Sequence, residues 1–160
     1  MLFPKLWPSG GGVLLSLATT MRPIKPGMAT WGSFEAALRD EGLPTEDLLV
    51  DGQDFFDFAG GRAYGGLAMF GPVALLRSIV VSRERRGRGE GGSVVQALVE
   101  AAKRRGALEA WLLTIGAQNV FARQGFSTVS RELTPGPIAK SLQFSMLCPA
   151  SAVVMCRKPL

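Results

Sequence analysis

The sequence contains no histidine, and this absence excludes several common kinds of catalytic and metal site. A Ser-His-Asp triad, a Cys-His dyad and a histidine-ligated metal centre all need an imidazole. Tyrosine is almost as scarce, because Tyr64 is its single occurrence. Any acid–base chemistry must therefore come from Asp, Glu, Lys, Cys, Tyr64 or water.

Cysteine and long apolar runs are also scarce. Cys148 and Cys156 are too few for a disulfide scaffold or a four-thiolate zinc site, so we expect reduced thiols and a cytoplasmic protein. Cys148 is most simply a small buried hydrophobe. No apolar run reaches the roughly 20 residues that a membrane span needs, so the sequence predicts no membrane partner.

The chain has 160 residues, enough for one domain with a core of its own. Lys5 and the apolar run at 13–18 faintly resemble a signal peptide, but the run is short and follows three glycines. We expect residues 1–20 to be a disordered extension, or the product of a start codon placed upstream of Met21. Residues 21–160 are then the single domain.

Apolar periodicity and turn residues predict a mixed α/β domain with a strand–helix–strand unit at its centre. Gly60 and Gly61 separate two aromatic-rich runs, as in a tight hairpin. Ser33 is expected to cap the first helix, which Gly42 ends. The predicted strands are 21–24, 54–59, 62–70, 74–81, 108–115, 126–132 and 151–157, and the further helices are 48–50, 92–105, 117–124 and 138–147.

The most informative segment, residues 82–93, links the strand 74–81 to the helix 92–105. Its first helical N–H groups lack internal partners, and its glycines let an anion approach the backbone closely. Four arginines add positive charge, and the whole chain carries a net charge of +5. Together these features predict a phosphate-binding loop. The alternative is a solvated turn with a chance cluster of arginines, Arg83, Arg85, Arg86 and Arg88.

Two familiar phosphate loops do not fit. The pattern G-x-x-x-x-G-K-[ST] is absent. The dinucleotide pattern G-x-G-x-x-G is present as Gly87, Gly89 and Gly92, but four charged residues separate the strand from the glycines. The next strand also lacks the terminal acid that a dinucleotide fold places there.

A third pattern, [QR]-x-x-G-x-[GA], is met by Arg86, Gly89 and Gly91. After a strand ending in Val80 and Val81, it resembles the coenzyme A loop of the GNAT acetyltransferases. Phe121, four residues before Gly125-Phe126, resembles that family's second landmark. Over about residues 21–158, the resemblance implies the GNAT acyl-CoA N-acyltransferase fold, a mixed sheet of six to seven strands flanked by about four helices.

The resemblance also implies a function: transfer of an acetyl group from acetyl-CoA to the free amine of a small molecule, with no metal. The strand backbone would hold the pantetheine arm at Ile79, Val80 and Val81, and an amide nearby would stabilise the developing oxyanion. The remaining coenzyme A contacts would come from Arg86, Gly87, Arg88, Gly89, Glu90, Gly91, Gly92 and Phe121. A homodimer is compatible with the resemblance, since many family members are dimers.

Two positions depart from the family pattern. Phe121 stands where many members have a tyrosine that protonates the leaving thiolate, and phenylalanine has no proton to donate. Either water protonates the thiolate or it leaves unprotonated, which a thiol pKa of about 8.5 permits. Glu90 replaces an apolar residue and should compete with the phosphates. For the base that deprotonates the amine, the candidates are Ser78, Glu46, Asp57 and ordered water.

Arg77 lies in the middle of a strand and needs a partner. It either binds an anionic group of the substrate or forms a structural ion pair with an acidic neighbour. Segments 42–45, 75–78 and 144–152 resemble the GNAT branch encoded in arsenic-resistance operons. That branch implies acetylation of amino-acid-like compounds, including toxic arsenic- or phosphorus-containing ones.

Two alternatives remain open. One is a non-catalytic GNAT-like protein that binds coenzyme A, suggested by Phe121 and Glu90. The other is a basic domain that binds anions or nucleic acid through the arginine loop. A nucleic-acid binder would be expected to have exposed aromatics or a dispersed basic face. The basic residues form a single cluster at a helix start, which argues against a nucleic-acid partner.

Overall fold

The computed structural model describes residues 21–160, so the expected extension at residues 1–20 lies outside the described part. Seven strands are present: β1 (Arg22–Ile24), β2 (Gln53–Phe58), β3 (Ala63–Phe70), β4 (Val73–Val81), β5 (Glu109–Thr114), β6 (Ser127–Val129) and β7 (Val153–Arg157). Four α-helices accompany them: α1 (Ala29–Asp40), α2 (Glu90–Arg104), α3 (Gln118–Ala122) and α4 (Gly136–Ala139). None of the helices in this part of the chain is long and apolar enough to cross a membrane.

The strands form one mixed sheet in the order β1-β2-β3-β4-β5-β7-β6. Neighbours are antiparallel except β4 and β5, which are parallel and are joined by the crossover helix α2. This arrangement confirms the predicted mixed α/β fold with its central strand–helix–strand unit.

Helices cover both faces of the sheet. On one face α2 and α3 bury an apolar cluster, and the five residues predicted as the α2 stripe are all buried: Val94, Val95, Leu98, Val99 and Ala102. On the other face α1 packs on β2 to β4, while α4 and a π-helical turn at Gln143–Leu147 pack on β5 and β7. The sheet is therefore the middle of three layers.

Two glycines in β3 permit close packing on opposite sides of the strand. A Cβ at Gly65 would lie 2.8 Å from Leu98 Cδ1, so the missing side chain lets α2 approach the sheet. A Cβ at Gly66 would lie 2.7 Å from the Phe55 ring. Larger residues here would push α2 or Phe55 away from the sheet.

The predicted N-cap of the first helix is wrong. The helix α1 begins at Ala29, so Ser33 lies inside it and is not its cap. The helix begins about one turn before the predicted start because Trp31 is buried against Phe34 and Phe55. The ring centroids of these two residues lie 5.3 and 5.8 Å from that of Trp31. Packing of a large aromatic outweighs a capping preference of about 1 kcal/mol.

The predicted short helix at 48–50 is instead a turn. The Gln53 side-chain amide donates to the backbone oxygens of Asp47 and Val50 at 2.7 and 3.1 Å. A side chain from β2 therefore binds the carbonyls that a helix would have used.

The helices and the strand of the C-terminal third are shorter than predicted. The expected helix 138–147 divides into the four-residue α4 and the π-helical turn. Ser141 interrupts it, because its hydroxyl donates to the Ile138 carbonyl oxygen at 2.6 Å. The expected strand 126–132 is reduced to β6, and a 3₁₀ turn occupies Arg131–Leu133.

Candidate active site

The sheet opens beside β4. The parallel ladder joins only Val73, Ala74 and Leu75 to residues 109–111 of β5. Beyond Leu75, β4 has no strand on that side among the described residues, because β5 continues along β7 instead. The free edge of β4 offers backbone N–H and C=O groups to an extended ligand.

A bulge lies in β4 at this opening. Tyr64 pairs with Val80 and Gly66 with Arg77, so two residues of β4 face Gly65 alone. Ser78 adopts the left-handed conformation with φ 53°, which is unusual for a residue other than glycine. The bulge redirects the backbone from Ser78 onward.

The residues expected to follow the pantetheine arm lie just after the bulge. Ile79 and Val81 pack against the core on the α2 face, and Val80 packs against the α1 face. Their side chains are thus anchored on both faces of the sheet. Their backbone lies along the strand edge that β5 leaves open.

The arginine loop leaves β4 at Val81 and enters α2 at Glu90. Gly87 and Gly89 both have φ 77° and are exposed, and a Cβ on either would meet nothing within 4 Å. These glycines are required by backbone conformation and not by crowding. No side chain in the described part of the chain caps α2, so its first N–H groups are available to an anion.

Acidic residues already contact several loop arginines. Arg86 donates to the Val81 carbonyl oxygen at 3.1 Å and lies 2.6 Å from a Glu41 carboxylate oxygen at the end of α1. Arg83 reaches the same oxygen at 3.4 Å. The Arg86 hydrogen bond is the main reason that the pKa of Glu41 is held below its ordinary value. No local pattern predicts this contact, because the partners are more than 40 residues apart.

Glu90 turns inward at the start of α2. Its carboxylate forms an ion pair with Arg85 at 2.5 Å, and the residue is buried. Arg85 therefore offsets the charge that was expected to compete with the phosphates. Arg88 is exposed, with no ion-pair partner between residues 21 and 160.

A cavity of about 250 Å³ lies beside this loop. Glu41, Tyr64 and Val80 line it together with Arg83 and Arg86. Burial, assisted by the charge of Asp57, raises the pKa of Tyr64. At neutral pH the tyrosine is therefore a neutral hydroxyl beside a mixed set of charges.

A family model described as the acetyltransferase (GNAT) family matches residues 31–126, more than half of the chain. The chain belongs to the GNAT acetyltransferase family. It is therefore an acyltransferase by family, and the arginine loop, β4 and the Phe121 region all fall inside the matched segment. No curated protein matches the chain in sequence.

Solved structures share the GNAT fold. N-acetylglutamate synthase from Neisseria gonorrhoeae, solved with coenzyme A and N-acetyl-glutamate, superposes with a TM-score of 0.69 at 15% identity over 88% of this chain. The chain spans only 35% of that enzyme. An acetyltransferase of the GNAT family from Staphylococcus aureus and an acetyltransferase from Streptococcus agalactiae give TM-scores of 0.65 and 0.66 at 15% and 10% identity. Each covers 86% of this chain, which in turn covers 98% and 96% of them. At these identities the likeness concerns the fold alone.

Arg77 is fully engaged within this GNAT fold. Its Nη2 donates to Asp47 Oδ1 at 2.6 Å, and its Nη1 contacts both Asp47 Oδ2 and Gln53 Oε1. Its Nε donates to Ser78 Oγ at 3.2 Å. The structure therefore contains the ion pair that was the alternative to a substrate contact. A substrate contact remains a prediction and would need this pair to rearrange.

The candidate bases lie on separate elements, and each has a structural partner. Asp57 on β2 accepts from the Gly61 N–H at 2.7 Å and closes the β2–β3 hairpin. Glu46 is exposed and accepts from the Thr45 N–H at 2.9 Å. Ser78 is at the bulge itself, and of the three it lies on the strand beside the opening.

Phe121 is a core residue of α3. It is 8% exposed, and its ring packs edge-on against Phe126 with centroids 6.3 Å apart. A contact with coenzyme A remains a prediction for this side chain. In residues 21–160, no group of three or more acidic or cysteine side chains could hold a metal ion.

Proposed function

We propose that the chain is an acetyl-CoA-dependent N-acetyltransferase that modifies the free amine of a small molecule. The observation that carries this proposal is the juxtaposition of the open β4 edge, the bulge at Ser78 and the exposed arginine loop. Two related structures bear on the co-substrate. The Neisseria enzyme was solved with coenzyme A, and Rv2747 from Mycobacterium tuberculosis with coenzyme A and NLQ.

The loop fits a diphosphate. Gly87 and Gly89 are exposed in left-handed conformations, and the uncapped start of α2 supplies free N–H donors. The charge would come from Arg86 and Arg88, of which Arg86 is shared with Glu41. Glu90, Gly91 and Gly92 would complete the contact from the first helical turn.

Acetyl-CoA, when bound, supplies an acetyl group activated as a thioester. The free edge at Ile79, Val80 and Val81 would hold the pantetheine arm by strand-like hydrogen bonds. A backbone N–H at the bulge would donate to the carbonyl oxygen as it gains charge. The acceptor amine must be neutral, and Ser78, Glu46, Asp57 and water remain the candidates for removing its proton.

The acceptor proposed from the tail sequence is an amino-acid-like compound, including arsenic- or phosphorus-containing toxic analogues. That proposal rests on the resemblance of segments 42–45, 75–78 and 144–152 to the arsenic-resistance branch. It entails a cytoplasmic enzyme that confers resistance by acetylation. Residues 21–160 would form its single domain and residues 1–20 an extension. A homodimer is compatible with this proposal.

A thiol-release assay with acetyl-CoA and a panel of amines tests the proposal. We expect calorimetric binding of acetyl-CoA and amine-dependent release of free thiol. Binding without release for any amine would support the non-catalytic alternative. Salt-sensitive DNA binding without acetyl-CoA binding would support the nucleic-acid alternative.

A further inference from the structure

Two buried polar atoms on the α4 face have no hydrogen-bond partner within residues 21–160. They are Gln143 Oε1 and Arg131 Nη1. Gln143 is only 6% exposed, so its carbonyl oxygen is also shielded from solvent. Leaving a buried polar atom unpaired costs about 1–3 kcal/mol, so the pair calls for an additional partner.

Both residues adjoin Phe144. Arg131 Nη2 donates to the Phe144 carbonyl oxygen at 3.1 Å, and its guanidinium carbon lies 4.3 Å from the centre of the Phe144 ring. Gln143 immediately precedes Phe144 in the π-helical turn. Such turns are rare and are found frequently at functional sites.

The charge of Arg131 is not offset. No ion pair among residues 21–160 includes Arg131, whereas Arg77 is paired with Asp47. Burial raises the pKa of the Cys148 thiol and Asp47 adds to the rise, while Gln143, Arg77 and Arg131 oppose it. A partly buried, uncompensated guanidinium favours an anion as its partner.

The pair is connected to the proposed acetyl-transfer site. Phe144, on which Arg131 stacks, packs in one cluster with Leu75 of β4, three residues before Ser78. Arg77, between Leu75 and Ser78, donates through Nε to Ser78 Oγ at the bulge. The π-helical turn thus packs against β4 on the sheet face opposite α2, and a ligand held at Arg131 would lie on that face.

We propose that Arg131 and Gln143 bind the charged head group of the acceptor. The Arg131 Nη1 group would donate to an anionic oxygen, and Gln143 Oε1 would accept from a neighbouring N–H or O–H of the same molecule. The chemical class is a small molecule with a carboxylate or similar oxyanion beside a donor. This inference rests on the proposed function for its reaction, but binding alone can test it.

Access requires the π-helical turn to move outward. Ser145 and Met146 in that turn are exposed, Met146 to 75%, so a thin segment covers the buried pair. Ligand binding should therefore change the protection of amides in this turn.

The binding experiment compares α-amino acids with their α-amides in thermal denaturation of the full chain. We expect amino acids at millimolar concentration to raise the Tm of the wild type, and amides not to. Arg131→Met should abolish the shift. Lys140→Met, which removes an exposed positive charge just after α4, should retain it. Equal shifts with acids and amides, or a retained shift in Arg131→Met, would overturn the proposal.

Gln143→Glu provides a second variant in case Arg131→Met folds poorly. The new carboxylate would pair with Arg131 Nη1 and imitate the ligand's anion. We expect this variant to have a higher Tm than the wild type and to lose the response to amino acids. A Gln143→Glu protein whose Tm still rises with amino acids would count against the proposal. A Tm below that of the wild type would also count against it, since that is the result expected if a structural water bridges the two side chains.

Kinetics separates this inference from the proposed function. If thiol release occurs, Arg131→Met should raise KM for carboxylate-bearing amines about tenfold or more, as expected for the loss of a charge-assisted hydrogen bond. The kcat and the KM for acetyl-CoA should change less than twofold. Absence of thiol release with a retained amino-acid shift would defeat the proposed function while leaving the binding site intact.

Discussion

The chain uses arginine in two opposite ways on either side of the β4 bulge. Arg77, before the bulge, is 4% exposed and is bound by Asp47, Gln53 and Ser78. After the bulge, Arg83, Arg86 and Arg88 lie at the surface, and Arg86 and Arg83 share one carboxylate. The same residue type is structural in one place and available to a ligand in the other.

Burial explains the difference. An exposed ion pair contributes about 0–1 kcal/mol, because water competes for both charges. A buried pair gives little net stability, yet removing one partner leaves an uncompensated charge and costs about 3–5 kcal/mol. Arginines at the surface can therefore exchange a carboxylate for a phosphate at small cost, whereas Arg77 cannot leave Asp47 without penalty.

The largest effect should follow from breaking the buried pair. Arg77→Met should lower the free energy of unfolding by about 3–5 kcal/mol, because Asp47 loses its partner. Denaturant titration would measure this. The double variant Arg77→Met/Asp47→Leu should recover most of the loss, since no charge then remains buried. A single variant that loses less than about 1 kcal/mol would contradict the structural role.

Removing a loop arginine should affect ligand binding instead of folding. We expect Arg86→Ala to weaken acetyl-CoA binding about tenfold, the loss of one charged hydrogen bond of roughly 1.4 kcal/mol. Its unfolding free energy should change by less than about 0.5 kcal/mol. Calorimetry against Lys25→Ala, a distant exposed cation, provides the control. Equal loss in both variants would indicate a general charge effect and not a loop contact.

The carboxylate that holds Arg86 should have a smaller effect of opposite sign. Glu41→Gln should tighten acetyl-CoA binding by about two- to fivefold, because the weak exposed ion pair no longer competes with the phosphates. In the wild type the pKa of Glu41 is lowered in the folded state, so its ion pairs contribute above pH 4.5 and are lost as the pH falls further. Weaker binding in Glu41→Gln would mean that the carboxylate orders the loop.

The buried Cys156 thiol should affect stability only at high pH. Burial, with a contribution from Glu109, raises the pKa of Cys156 from 9.0 to about 11. A raised folded-state pKa contributes stability below pH 9 that is lost as the pH rises toward 11. The unfolding free energy of the wild type should therefore fall more steeply above pH 9 than that of Cys156→Ala. Parallel curves would exclude this linkage.

Predictions from local sequence patterns were correct where burial and chain direction depend on nearby residues. The α2 stripe and the exposed loop follow from spacing within about 15 residues and agree with the structure. The predicted hairpin is present, but its turn spans residues 59–62 and not the two glycines alone. The segment 138–147 failed because its apolar content suits a helix while Ser141 and the packing of Phe144 break it. Local propensity is weak evidence when tertiary contacts of several kcal/mol oppose it.

The sequence by itself determined the family, the mixed sheet and the loop at the head of α2, because each depends on contiguous residues with strong conformational preferences. Only the tertiary structure decided which acid meets which arginine. Asp47 and Arg77 are 30 residues apart, and no local pattern encodes their contact. The packing of α1, β2 and β4 brings the carboxylate of Asp47 to Arg77. Burial then separates the structural arginine from those available to a ligand, and the chain buries side chains only by folding.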